Sequence, residues 1–398
     1  MKRYLICAAL AGLVITLSMI LQPPISYNGG LGWDGAQYTQ LAGQCGREPM
    51  HAYEPFAYRV GAPCLAALIP LPPKLGLWTI NILSSILLLF LLDAWLRQHV
   101  HLVLVPYLLA GFAFHWLTPL RHVWWYPTYI DTPALCAIVG ALLLTESPVG
   151  FAIVCLAGAL IRESVLIVPL GVLVGSFVRP AAPKPPAKAG PGTRMHSSAI
   201  AGIVAGIVGM AIARLVSTPD THYSLPDAAY YWVLHKPPLA YLLAWFIAFG
   251  PALALLASQW KAATAFLAEF PEYAVMLVLV AVLAWVGGSD TERFLLWGSP
   301  IVLVMIGKAA DRINWRHAKG LLAVFVITMA VSGRWFLTIP DYWPGAPRAW
   351  PILTPWTAAD YELLFSHTPD SLVAALAVGE YVVVSVLLFS WFKWHTRS

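Results

Sequence analysis

Apolar runs long enough to cross a bilayer recur along the whole of this chain, and that feature restricts the fold more than any motif. A spanning helix needs roughly 20 mostly apolar residues. Charged residues make up only 11% of the sequence, against about 25% in a soluble domain, too few to cover a water-facing surface. The expectation is an all-α, polytopic transmembrane helix bundle forming one integral membrane domain over residues 1–398. The formal charge of +5 does not point to nucleic acid, because the basic residues fall between apolar runs and not on one face or tail.

Candidate spans lie at 4–22, 75–95, 102–118 and 131–145. Residues 149–178 read either as one long helix or as two short ones broken at Arg162, Glu163 and Ser164. One helix would leave Arg179, Lys184, Lys188 and Arg194 outside, against the cytoplasmic excess of Lys and Arg. Two short helices put them inside and lift Arg162 and Glu163 to the outer surface, away from mid-bilayer where a charge is costly. A Pro- and Lys-rich cytoplasmic linker at 179–197 follows. Further spans are expected at 198–216, 237–257, 273–286, 294–308, 320–338 and 371–391, about twelve crossings in all, with both termini cytoplasmic as in a bacterial-type inner membrane protein. GIVAG at 202–206 reads as a small-residue helix-packing face.

On this layout most acids collect on the outer side, with aromatic stretches at 122–131, 222–236 and 334–356. Interfacial belts of Trp and Tyr account for these as readily as a carbohydrate site does, since sugar C–H faces stack on aromatic rings. The densest outer segment is residues 32–64, within a first outer loop at 23–74. It carries Asp34, Glu48, His51, Glu54 and Arg59 among Trp33, Tyr38, Tyr53, Phe56 and Tyr58. Loops longer than about 15 residues are usually functional or disordered, and this aromatic density argues against disorder. Cys45 and Cys64 are able to bridge there, although an odd cysteine count without a secreted-domain pattern argues otherwise.

Trp33, Asp34, Tyr38, Leu41 and Ala42, followed by Pro55–Pro63 (P-F-A-Y-R-x-x-x-P), resemble the first outer loop of GT-C glycosyltransferases. The likeness is nearest to bacterial relatives of the mannosyltransferase that adds the second mannose in glycosylphosphatidylinositol assembly. Arg59 departs from the pattern, which has an apolar residue or proline there. Residues 158–170 resemble the short helical hairpin many such enzymes carry, with a basic residue at its outer turn. The resemblance implies a polyprenyl-phosphate sugar donor carrying mannose or another hexose or pentose, a glycan or lipid acceptor, inversion at the anomeric carbon, and Asp34 as general base. A lipid phosphate already leaves well, so one base suffices, whereas glycosidases typically use two carboxylates.

In that reading Arg59, Arg162 and Arg293 hold the phosphate through charge-assisted contacts, with His51 as a further donor. Trp33, Tyr38, Glu54, Tyr58, Asp131, Glu163 and Asp290 complete the substrate-binding set. Each has a plainer structural role beside it. Asp34 and Gln37 form a capping-box pattern opening a short interfacial helix, as Ser289 and Glu292 do further on. Asp131 reads as an N-cap, Asp290 and Arg293 as a pair, and Arg162 with Glu163 as an ion pair locking a turn. No metal-ligand spacing is present, although carboxylates from separate loops, such as Asp34 and Asp290, are able to meet on a divalent ion.

A transporter or flippase is the rival class, weakened by the lack of an internal repeat and by charge placed at the rim. A polysaccharide polymerase or ligase would rely instead on the outer segment 339–370, with Arg348 and His367.

Overall fold

The computed structural model describes residues 2–47, 49–115, 118–178, 191–222, 224–250, 252–288, 291–312, 320, 323, 326–327 and 371–395. Among them the chain forms nineteen α-helices and one pair of three-residue strands, Met50–Ala52 and Ser217–Pro219. The strands run parallel, with Met50 opposite Ser217 and Ala52 opposite Pro219. The fold is all-α as expected apart from this small ladder, whose cause lies in the preceding helix. Gln40 and Gln44 bond the backbone of His51, and Gln37 accepts from the Tyr53 N–H, each at 2.7–2.8 Å. Extended chain is thereby satisfied by glutamine side chains spaced along the Asp34–Gln44 helix.

Three helices are long and apolar enough to cross a membrane: Arg3–Leu21, Pro73–His99 and Met195–Val216. Two further spans are available if each bent pair counts as one, Tyr241–Phe249 with Ala252–Ser258 and Trp260–Glu269 with Pro271–Val286. Three to five, not twelve, is therefore the number these residues support. Several expected crossings are helices too short to span alone, such as Val105–Ala113, Asp131–Leu143 and Ser299–Ala310. Others bend sharply, by 93° and 109° in the two pairs. Most of 320–338 and all of 339–370 lie outside the described residues.

The three long helices bury only 28–44% of their apolar windows, leaving residues such as Leu5, Ile20, Leu83 and Leu215 facing outward. Large exposed apolar surfaces of this kind mark contact with lipid or another protein. Inside, the Pro148–Ile161 helix lies along Pro191–Val216 through the small residues of the latter. A Cβ on Gly209 would stand 2.8 Å from the Leu156 carbonyl, and one on Gly202 would collide with Phe151. The 202–206 stretch is thus a packing face, as its spacing suggests.

Residues 149–178 break where the charges stand. The Pro148–Ile161 helix ends, Arg162 is extended (φ −161°, ψ 131°), and a 3-10 turn at Glu163–Leu166 leads into Ile167–Val178. Cys45 and Cys64 are joined by a disulfide, with a Cα–Cα distance of 5.4 Å.

Candidate functional site: an arginine and carboxylate cluster

Asp34 is the first residue of the Asp34–Gln44 helix and does not cap it. The N-cap position is Trp33, with no side-chain cap, and Gln37 is engaged with Tyr53. The capping box suggested by the spacing is absent, and the Asp34 carboxylate points instead to Arg293, 3.4 Å from its Nη2. Asp131 likewise begins its helix without capping it. Its two oxygens take separate guanidinium groups, Oδ1 receiving Arg162 Nη1 and Oδ2 receiving Arg293 Nε at 3.1 Å.

A second arm of the cluster adjoins the first through the Arg162–Glu163 peptide. Arg59 donates from Nη2 and Nε to Glu163 at 2.5 and 3.1 Å, and from Nη1 to the Tyr38 hydroxyl at 3.1 Å. Neighbouring Arg162 and Glu163 therefore do not lock a turn together. Each reaches across the fold, Arg162 to Asp131 and Glu163 to Arg59. Extended backbone at Arg162 sends consecutive side chains in different directions, which makes the crossed pairing possible. Gly61 brings the two segments close: a Cβ there would lie 2.9 Å from the Leu160 carbonyl carbon.

Burial grades across the cluster. Asp131 is fully buried, Arg162 and Arg59 keep 6% and 7% of their side chains exposed, and Asp34 and Arg293 keep 17% and 16%. Glu163 keeps 48%, so the cluster meets solvent at Glu163 and, more narrowly, at the Asp34–Arg293 edge. Burial by itself would favour neutral Arg59, but Glu163 and Tyr38 more than reverse this, and its pKa is raised. For Glu163, burial opposes ionisation while the charge and hydrogen bonds of Arg59, aided by Arg162, hold the carboxyl down to about 2. Half of that side chain is exposed, so solvent screens the pair. Burial and the like charges of Arg59 and Arg293 push Arg162 down to about 10, leaving it a cation at neutral pH.

Aromatic side chains complete the walls. The Arg293 guanidinium lies 4.6 Å from the Tyr129 ring centroid and that of Arg162 lies 5.2 Å from Trp297. Trp33 packs against Tyr27, Trp125 and Tyr126, while the Tyr126 hydroxyl accepts the Gly35 N–H at 3.0 Å. The 122–131 stretch thus frames the start of the Asp34 helix. Tyr126, Tyr129 and Trp297 are missed when single residues are sought in the sequence. Trp297 has one signal, its place four residues after Arg293, one helical turn on.

Of the residues expected to bind substrate, Tyr38, Arg59, Asp131, Arg162, Glu163 and Arg293 meet in this cluster with Asp34, and Trp33 stands beside it. Others are engaged elsewhere. His51 pairs with Asp220 across the strand pair at 3.2 Å. Glu54 hydrogen-bonds Tyr58, whose ring lies 4.7 Å from the Arg214 guanidinium. Glu48, Ser289, Asp290, Arg348 and His367 lie outside the described residues, so the second capping box and the Asp290–Arg293 pair do too. Among the described residues no three His, Cys, Asp or Glu side chains converge as metal ligands.

Chemically, the cluster offers cations to an anion, two carboxylates that reach solvent, Glu163 and Asp34, and aromatic faces suited to apolar rings. Comparison with family models, curated proteins and solved structures finds no match to this chain.

Proposed function

We propose that this chain is a membrane glycosyltransferase, moving a sugar from a polyprenyl-phosphate donor to a glycan or lipid acceptor at the outer face of a bacterial-type inner membrane. The observation that carries the reading is the run of ion pairs from Asp34 through Arg293 and Asp131 to Arg162, with the Arg59–Glu163 pair adjoining it. The resemblance of the first outer loop adds the reaction type. In the step envisaged, Asp34 takes the acceptor hydroxyl proton as that oxygen forms its bond to the anomeric carbon. The bond from that carbon to the phosphate oxygen breaks on the opposite face, and the electron pair leaves with the polyprenyl phosphate. Arg293, with Arg162 behind it, stabilises the charge that grows there. Asp131 is fully buried between two guanidinium groups and suits an anchoring role better than a base.

The test is mass spectrometry of surface glycans from a strain lacking the protein, complemented with wild type or Asp34→Asn. Loss of one sugar on deletion, unrestored by Asp34→Asn present at normal level, is the expected result. Full restoration would remove Asp34 as base.

One observation favours a transporter: the buried Asp131–Arg162 pair is the kind of group that lines a translocation path. Unchanged glycans in the deletion strain would favour the transporter.

A further inference from the structure

We propose that Arg293 is an exchangeable clamp: it pairs with Asp34 and passes to the donor phosphate on binding, so that the donor itself releases the base. The inference rests on the transferase reading and concerns how its base is controlled.

Arg293 is shared. Its Nε reaches Asp131 at 3.1 Å and its Nη2 reaches Asp34 at 3.4 Å. The two carboxylates differ in their other support. Asp131 also receives Arg162 and is fully buried, so removing it from the arginines would strand a charge in the interior. Asp34 sits at an edge that reaches solvent, with 17% of its side chain exposed, and makes the longer contact. A phosphate entering from that edge meets Arg293 where Asp34 holds it, and like charges disfavour keeping both anions on one guanidinium group.

An independent feature points to a hydrogen-bond acceptor as the ligand. The Arg162 Nε and the Trp297 Nε1 are buried N–H donors without a hydrogen-bond partner among the described residues, and that guanidinium lies over that indole. Orphaned donors of this kind are rare in native interiors. Phosphate or sugar oxygens would satisfy them without disturbing the Asp131 anchor. With Arg293 on the phosphate, the Asp34 carboxylate is left to face the acceptor hydroxyl.

The exchange makes a prediction of unusual sign: Asp34 should oppose binding of the donor phosphate. Binding of farnesyl phosphate would be measured on purified protein in nanodiscs, with farnesol and inorganic phosphate as controls. Asp34→Asn is expected to bind farnesyl phosphate several-fold more tightly than wild type, with Asp34→Ser as a second variant. Arg293→Gln should weaken binding at least tenfold, and the double variant should resemble Arg293→Gln alone. Unchanged or weaker binding by both Asp34 variants would overturn the exchange while leaving the transferase reading intact. The same Asp34 response with inorganic phosphate alone, and none with farnesyl phosphate, would uphold the exchange and overturn the lipid donor. Failure of wild type to bind either phosphate would overturn both.

Discussion

Asp131 joins two guanidinium groups with no exposure to solvent, and the energetics of the cluster turn on that residue. Removing one partner of a buried pair leaves an uncompensated charge, at a cost of about 3–5 kcal/mol. Asp131→Asn should therefore lower thermal stability sharply, read by fluorescence-detected size exclusion after heating, whereas Asp34→Asn should leave it nearly unchanged. Comparable losses in both would contradict the graded burial. Glu163 supplies a pH signature. Its folded-state pKa lies below its ordinary value of 4.5, so its contribution to stability is present above that pH and fades as pH falls toward about 2. Half-exposed as it is, the effect is small. The thermal midpoint of wild type should exceed that of Glu163→Gln at pH 7, and the difference should shrink by pH 3.

At the scale of the elements, the Asp34–Gln44 helix is held by its first turn. Gly35 donates to Tyr126 and has no room for a side chain, since a Cβ would strike Thr128, whose hydroxyl bonds the Leu31 carbonyl at 2.8 Å. Gly35→Ala must move the helix start or that loop, with a cost of about 1–3 kcal/mol for overpacking. Because Asp34 rides on the same turn, function in the glycan assay should fall further than protein level does. Equal falls would show that the helix start does not position Asp34. The helix itself is legible in the sequence, with Tyr38, Leu41 and Ala42 at helical spacing and buried. Its capping is not, because the D-x-x-Q pattern cannot reveal that Arg293 and Tyr53 compete for the two side chains. The broken 149–178 segment is legible for a stronger reason, the cost of an Arg–Glu pair in mid-bilayer.

For the whole molecule, the Cys45–Cys64 disulfide bears on which side of a membrane residues 45–64 would stand. Disulfides persist in oxidising compartments, so the bridge predicts residues 45–64 on the side of the membrane away from the cytoplasm. Closing a loop with sequence separation 19 stabilises by about 3 kcal/mol in the chain-entropy account. Intact cells treated with a membrane-impermeant maleimide should take up label at Cys45 and Cys64 only after reduction. Cys7, Cys136 and Cys155 are buried and should stay unlabelled. Label at Cys45 or Cys64 without reduction would refute the bridge. The bridge itself escapes sequence reasoning, because pairing depends on where two loop positions meet.

The sequence by itself determined that this chain is helical and rich in apolar surface, through apolar runs of spanning length and too few charges to clothe a soluble fold. It also singled out the polar residues that are costly to bury, and Asp34, Arg59, Asp131, Arg162, Glu163 and Arg293 are among them. Partnership was decided by the tertiary structure. Arg162 passes over its neighbour Glu163 for Asp131, and Arg293 bridges acids 97 positions apart, Asp34 and Asp131. The number of spans was decided there as well, because an apolar run records that a segment leaves water but not whether it runs straight or bends. Charges pair by proximity in space, and hydropathy along a chain carries no record of that distance.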